Sequence, residues 1–104
     1  MSHLDLENQD QLEDVVEQEL EEPTMYKVLL YNDDYTTMDF VVWILEDIFH
    51  KSSSEATRIM LNVHYNGFGI CGYYTGEIAE TKVKAVHIRA KEAGFPLKAS
   101  MEYI

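Results

Sequence analysis

Asn32, Asp33 and Asp34 stand in a row, followed by Tyr35 and Thr36, and they bring more hydrogen-bond acceptors to one point than a turn needs. If the chain stays extended there, alternation puts Asn32 and Asp34 on one side and Asp33 on the other. Two acceptors two residues apart suit a donor-rich group, and an ammonium, with three N–H donors and no acceptor, is their complement. His64 completes the set, because a neutral imidazole keeps one lone pair for the same ammonium. Met38, Val41, Met60 and Val63, from the two helices nearest the turn, would line an apolar pocket behind this polar mouth. The plainer alternatives are a strand, a turn and a cap at residues 32–36, and a dipole-favoured His at a helix end.

Other chemistry is less well supplied. Cys71 with His64 and an Asp could form a thiol catalyst, but nothing near Cys71 in the sequence lowers its pKa, and its strand position suits a small buried hydrophobe. Asp33, Asp34, His64 and His87 contain no paired-ligand spacing, so no metal and no cofactor are expected. Gly67-Phe68-Gly69 lacks the Lys and the following helix of a phosphate loop.

The elements that position these residues follow from pattern. Met25–Tyr31 is short, β-branched and aromatic, and reads as a strand. A helix follows from near Met38, with Thr36 as N-cap, Asp39 completing a capping box, and Tyr35 and Phe40 as a hydrophobic staple. Its apolar face is Phe40, Val41, Ile44, Leu45, Ile48 and Phe49. Ser52 and Glu55 open a second helix over residues 53–65, with Ala56, Ile59, Met60 and Val63 inward and Gly67 ending it. Gly69–Thr75 is a second strand whose glycines suggest close backbone approach or a bulge. A third helix runs from Gly76-Glu77 to Gly94 on an Ala79, Val83, Val86, Ala90 stripe, and Leu97–Tyr103 is the last strand. The order β-α-α-β-α-β predicts an α+β sandwich, a three-stranded antiparallel sheet packed against three helices.

Charge divides the 104 residues in two. Residues 1–22 hold nine of the 19 acidic side chains and none of the eight Lys and Arg, leaving the remainder close to balance. An acidic N-terminal tail over 1–23 and one core domain over 24–104 are therefore expected. Without clustered Lys and Arg, neither nucleic acid nor an anionic membrane is an expected partner. A single Cys, no apolar span and no basic leader point to the cytoplasm.

Four blocks are similar to the ClpS family of protease adaptors: Leu30 through Val41; Ala56 through Leu61 with Val63-His64; Ile70-Cys71-Gly72; and Ala79 through Val83. The resemblance runs from about residue 24 to 103. It implies a non-enzymatic, monomeric adaptor that binds substrate N-termini beginning with Leu, Phe, Tyr or Trp and passes them to a Clp-type AAA+ unfoldase and its peptidase. On the matching positions, Asn32, Asp34 and His64 would hold the free α-amino group, with Asp33 grouped beside them as a turn residue. Leu30, Thr36, Met38, Val41, Met60, Val63 and Leu97 would form the side-chain pocket, with Met38 the gate against β-branched residues. Glu77, Glu80 and Lys82 would dock the unfoldase N-terminal domain, and the tail would correspond to the family's variable extension. Thr37 stands where many members have Pro, which implies a looser Met38, and Lys98-Ala99-Ser100 replaces a more apolar run after Leu97. The other reading is a docking module of the ribosomal stalk C-terminal-domain type, which has no need of a convergent ammonium site.

Overall fold

The computed structural model describes residues 23–104, so the expected acidic tail lies outside the described residues except for Pro23. In chain order the elements are β1 (Met25–Tyr31), α1 (Met38–Asp47), α2 (Ser53–Asn66), β2 (Phe68–Thr75), α3 (Gly76–Ala93) and β3 (Lys98–Tyr103). Both outer strands pair antiparallel with β1, giving the sheet order β2-β1-β3.

Alternation along β1 divides the sheet. Val28 and Leu30 point into the core, where they meet Ala99 and Met101 across from β3 and the buried faces of the three helices. On the other face Lys27 pairs with Glu102 at 3.7 Å, and the Tyr31 and Ser100 hydroxyls share a hydrogen bond of 2.6 Å. Val28, Leu30, Ile44, Leu45, Ala56, Cys71, Ala79 and Val86 have no accessible surface at all, and they tie every helix to the sheet in one core.

The glycine-rich second strand shows both features expected of it. Its register with β1 shifts between Val28 and Leu29, so that Gly72 faces Val28 and Ile70 faces Leu29, with Cys71 bulged inward between them. At Gly69 a Cβ would stand 2.8 Å from Val63 Cγ2 and 3.2 Å from the Ile59 carbonyl. Only a bare backbone lets α2 lie this close to the sheet, and α2 carries half of the candidate site.

The caps of α2 follow the sequence. Ser52 accepts from the Glu55 amide at 3.3 Å, and Gly67 ends the helix in the left-handed region at φ 90. The start of α1 corrects the expectation. Thr37, not Thr36, is the N-cap, and its hydroxyl accepts from the Phe40 amide at 3.1 Å. The Thr36–Asp39 capping box is absent, and so is the staple: Tyr35 is largely exposed, while Phe40 stacks on Phe95 and Trp43. The cause is the side chain of Asp33, which takes the Thr36 hydroxyl for itself.

Candidate functional site

The loop from Asn32 to Thr36 leaves β1 beside the end of α2, and the Asn32 amide donates to the Gly67 carbonyl at 2.9 Å. That bond brings the loop against the helix end bearing His64. Asp33 then organises the loop from within: its Oδ1 accepts from the Tyr35 and Thr36 amides at 2.8 and 2.7 Å, and its Oδ2 from the Thr36 hydroxyl at 2.6 Å. Partial burial opposes ionisation of this carboxyl, but the Thr36 hydroxyl and the two amides outweigh it and hold the pKa below the ordinary value.

These contacts shape a cavity of about 250 Å³ lined by Asn32, Asp33, Asp34, Thr36, Met38, Val41, Met60, Val63 and His64. Its polar wall offers acceptors. The carboxylates have only lone pairs, the Thr36 proton is already directed to Asp33, and Asn32 and His64 each carry an acceptor atom. No Lys or Arg lines it. Met60 and Val63 are buried side chains of α2, Val41 is a buried residue of α1, and Met38, first in α1, is 44% exposed at the rim. A space just below the ~300 to 1,000 Å³ typical of small-molecule sites suits one side chain and its amine rather than a long ligand.

Leu30 and Leu97, expected in the pocket wall, are buried in the core behind it and do not line the cavity. Neither strand alternation nor composition tells a wall residue from the layer beneath it. The expectation that Thr37 loosens Met38 meets a compensating bond, since the Thr37 cap fixes the first turn of α1 from which Met38 projects.

A larger groove of about 460 Å³ runs between α2 and β2, past Glu55, Arg58, Asn62, Phe68 and Tyr73. Arg58 is paired with Glu55, so the groove presents no convergent unpaired charge from that pair. Cys71 lies under it, but burial pushes the thiol up to about 12, the reverse of what a nucleophile needs. His87 is occupied elsewhere, its Nε2 accepting from the Ala99 amide at 3.0 Å. Among the described residues no three His, Cys, Asp or Glu side chains gather to hold a metal, and no helix is long and apolar enough to cross a membrane.

The expected docking residues lie at the start of α3. Glu77, Ile78, Glu80, Thr81 and Lys84 line a shallow exposed concavity, with Glu80 and Lys84 paired at 3.1 Å. Lys82 differs from its neighbours. Its ammonium donates to the Ile48 carbonyl at 2.7 Å and lies over the rings of Phe49 and Tyr74, closing the C-terminal end of α1.

Residues 21–100 match the family model described as ATP-dependent Clp protease adaptor protein ClpS. The chain is 54% identical over 104 residues, all of both chains, to the ATP-dependent Clp protease adapter protein ClpS of Oleidesulfovibrio alaskensis. It is 62% identical over 85 residues to that of Desulfatibacillum aliphaticivorans, covering 82% of each chain. Among solved structures, Agrobacterium tumefaciens ClpS2 bound to L-phenylalaninamide superposes with a TM-score of 0.77 at 40% identity, over 80% of this chain and all of that one.

Proposed function

Because the chain belongs to the ClpS family of ATP-dependent Clp protease adaptors, we propose that its cavity receives the first residue of a substrate protein, holding the free α-amino group and the side chain together. The carrying observation is a polar wall rich in acceptors and without Lys or Arg, set against an apolar floor in one cavity. Asn32, Asp34 and His64 take the ammonium, and Met38, Val41, Met60 and Val63 enclose a Leu, Phe, Tyr or Trp side chain. L-Phenylalaninamide, bound by the Agrobacterium relative, has the same two parts, a free amine and an aromatic side chain.

Both halves are required. Burying a Leu or Phe side chain contributes about 1.5 to 3 kcal/mol. Each hydrogen bond from the ammonium adds about 1.5 to 3 kcal/mol. Either half alone leaves little affinity after the cost of association. The adaptor then docks on the unfoldase N-terminal domain through Glu77, Glu80 and the exposed Ile78, as a monomer in the cytoplasm, with Lys82 bracing that surface from behind. A docking module with no degron site has no use for three convergent acceptors.

Fluorescence anisotropy on a labelled peptide beginning with Leu, its N-acetylated twin, and versions beginning with Phe, Ile and Met tests this. Binding of Leu and Phe with none by the acetylated peptide is expected. Equal binding of the acetylated peptide, or none by any peptide, would remove the degron site from the account.

A further inference from the structure

The sheet has two edges, and side chains guard one of them. On β3 the Ala99 amide donates to His87 Nε2 at 3.0 Å, and Lys98 and Glu102 place charge along the strand. Occupied amides and charged side chains keep an edge from pairing with another chain. At the opposite edge β2 runs from Phe68 to Thr75 without a charged residue or a proline. Apart from its ladder with β1, no backbone hydrogen bond among the described residues engages Phe68 to Tyr73. The bulge at Cys71 bends this strand but adds neither charge nor proline to its edge. We infer that the β2 edge and the groove beside it take the extended segment that follows the first residue of a bound substrate, as a further strand of the sheet. This rests on the degron reading above and carries it from the first residue to the chain behind it.

The walls of the groove match a peptide backbone. On one side lies the edge of β2, and on the other lies α2, from which Asn62 and Asn66, one turn apart, both line the space of about 460 Å³. A carboxamide carries a donor and an acceptor, as a peptide unit does, so an extended chain laid here meets complementary groups on both sides. Arg58 is paired with Glu55, which leaves Lys51 as the one lining cation without an ion pair among the described residues. The groove therefore reads backbone rather than charge, which suits substrates that share only their first residue.

The groove is also continuous with the cavity. Gly67 accepts from the Asn32 amide at 2.9 Å, and its neighbours on either side, Asn66 and Phe68, line the groove. The C-terminal end of α2 thus stands between the two spaces, with His64 facing one and Asn66 the other. Rounding a helix end of about 10 Å takes about three extended residues. From Phe68 to Tyr73, at ~3.3 Å per residue, the groove then holds about five more. A substrate chain leaving the cavity enters at Phe68 and runs in the direction of β2, so the added strand is parallel to it.

Calorimetric titration of the full-length chain with three C-terminally amidated peptides tests this: three residues beginning with Leu, nine residues with the same start, and the nine-residue peptide N-methylated at residues 4–8. The nine-residue peptide should bind about tenfold more tightly than the short one, the yield of a few neutral backbone hydrogen bonds after ordering costs. N-methylation should return it to the short peptide's affinity, because it removes the N–H donors. The double variant Asn62→Ala, Asn66→Ala should lose at least about threefold for the nine-residue peptide and stay within about twofold for the short one, with Trp43 fluorescence unchanged. Amide exchange along Phe68 to Tyr73 should slow with the long peptide alone.

Equal affinities of the short and long peptides, or a gain that survives N-methylation, would overturn the inference while leaving the degron reading intact. Edge amides already protected before peptide is added would overturn it too, giving the edge to a second copy if protection rises with protein concentration and to residues 1–22 if it does not. Failure of both free-amine peptides to bind would instead bring down the degron reading.

Discussion

The loop from Asn32 to Thr36 and the first turns of α3 both carry carboxylates at the surface, and they dispose of them in different ways. Along α3 two charged side chains are answered locally, Glu80 by Lys84 and Lys82 by the Ile48 carbonyl at the C-terminal end of α1. In the loop one acid, Asp33, is turned inward to hold the backbone, so that its neighbours face a cavity with acceptors unanswered. Exposed ion pairs contribute little energy and tolerate change, whereas convergent unpaired acceptors around a concave space call for a donor-rich guest. Acidity alone therefore does not mark a site. What marks it is acidity that the protein leaves unpaired on a rigid frame.

The sharpest way to break this contrast is to remove the guest's charge. Acetylating the α-amine of a Leu peptide should cost at least about 100-fold in affinity, the loss of two or more charge-assisted bonds. His64→Ala should follow at about tenfold or more, read by the same anisotropy titration. By contrast, Glu80→Gln should leave peptide affinity unchanged within about twofold, because it removes only an exposed pair on the other surface.

Packing beneath the site gives a smaller effect. Gly69→Ala places a methyl against Val63 Cγ2 and the Ile59 carbonyl, and should lower stability by about 1 to 3 kcal/mol in urea melts followed by Trp43 fluorescence. Lys82→Met removes the donor on the Ile48 carbonyl and should cost about 1 to 2 kcal/mol, with the degron pocket still binding. Thr37→Pro should be close to neutral. Its φ of −71 suits proline, so the lost cap of about 1 kcal/mol is offset by a stiffer unfolded chain.

Acid acts on the loop in a defined direction. The folded pKa of Asp33 is lowered, so its contribution is complete above the ordinary aspartate value of about 3.9 and is lost as pH falls through the lower folded value. Loop order, followed by amide exchange at Tyr35 and Thr36, should persist down to the ordinary carboxylate range and fail only below it.

Much of this architecture was legible in the sequence, for physical reasons that particular residues illustrate. The ends of β1 at Met25 and Tyr31 agree with the apolar run, and Ser52, three residues before Glu55, and Gly67 bound α2 as a cap and a left-handed terminator should. Thr36 and Thr37 could not be told apart, because each is a competent cap and the choice falls to the nearby Asp33. Leu30 and Leu97 had the right character for a pocket wall, but depth beneath a surface is a tertiary property. The bond that holds Lys82 had no signal in the sequence, since its partner carbonyl lies 34 residues away. The three acceptors at Asn32, Asp34 and His64 were legible through their chemistry, and the fold brings all three to the cavity.

The central claim is that the cavity reads an amine and a side chain together, while α3 does not take part in that step. A 1H–15N NMR titration with L-phenylalaninamide and with its N-acetyl derivative tests it most directly. The account predicts that the free amine shifts the amides of Asn32 to Met38 and of Met60 to His64, leaves Glu77 to Lys84 in place, and that the acetylated compound shifts neither. Equal shifts from both compounds, or shifts confined to α3, would contradict it.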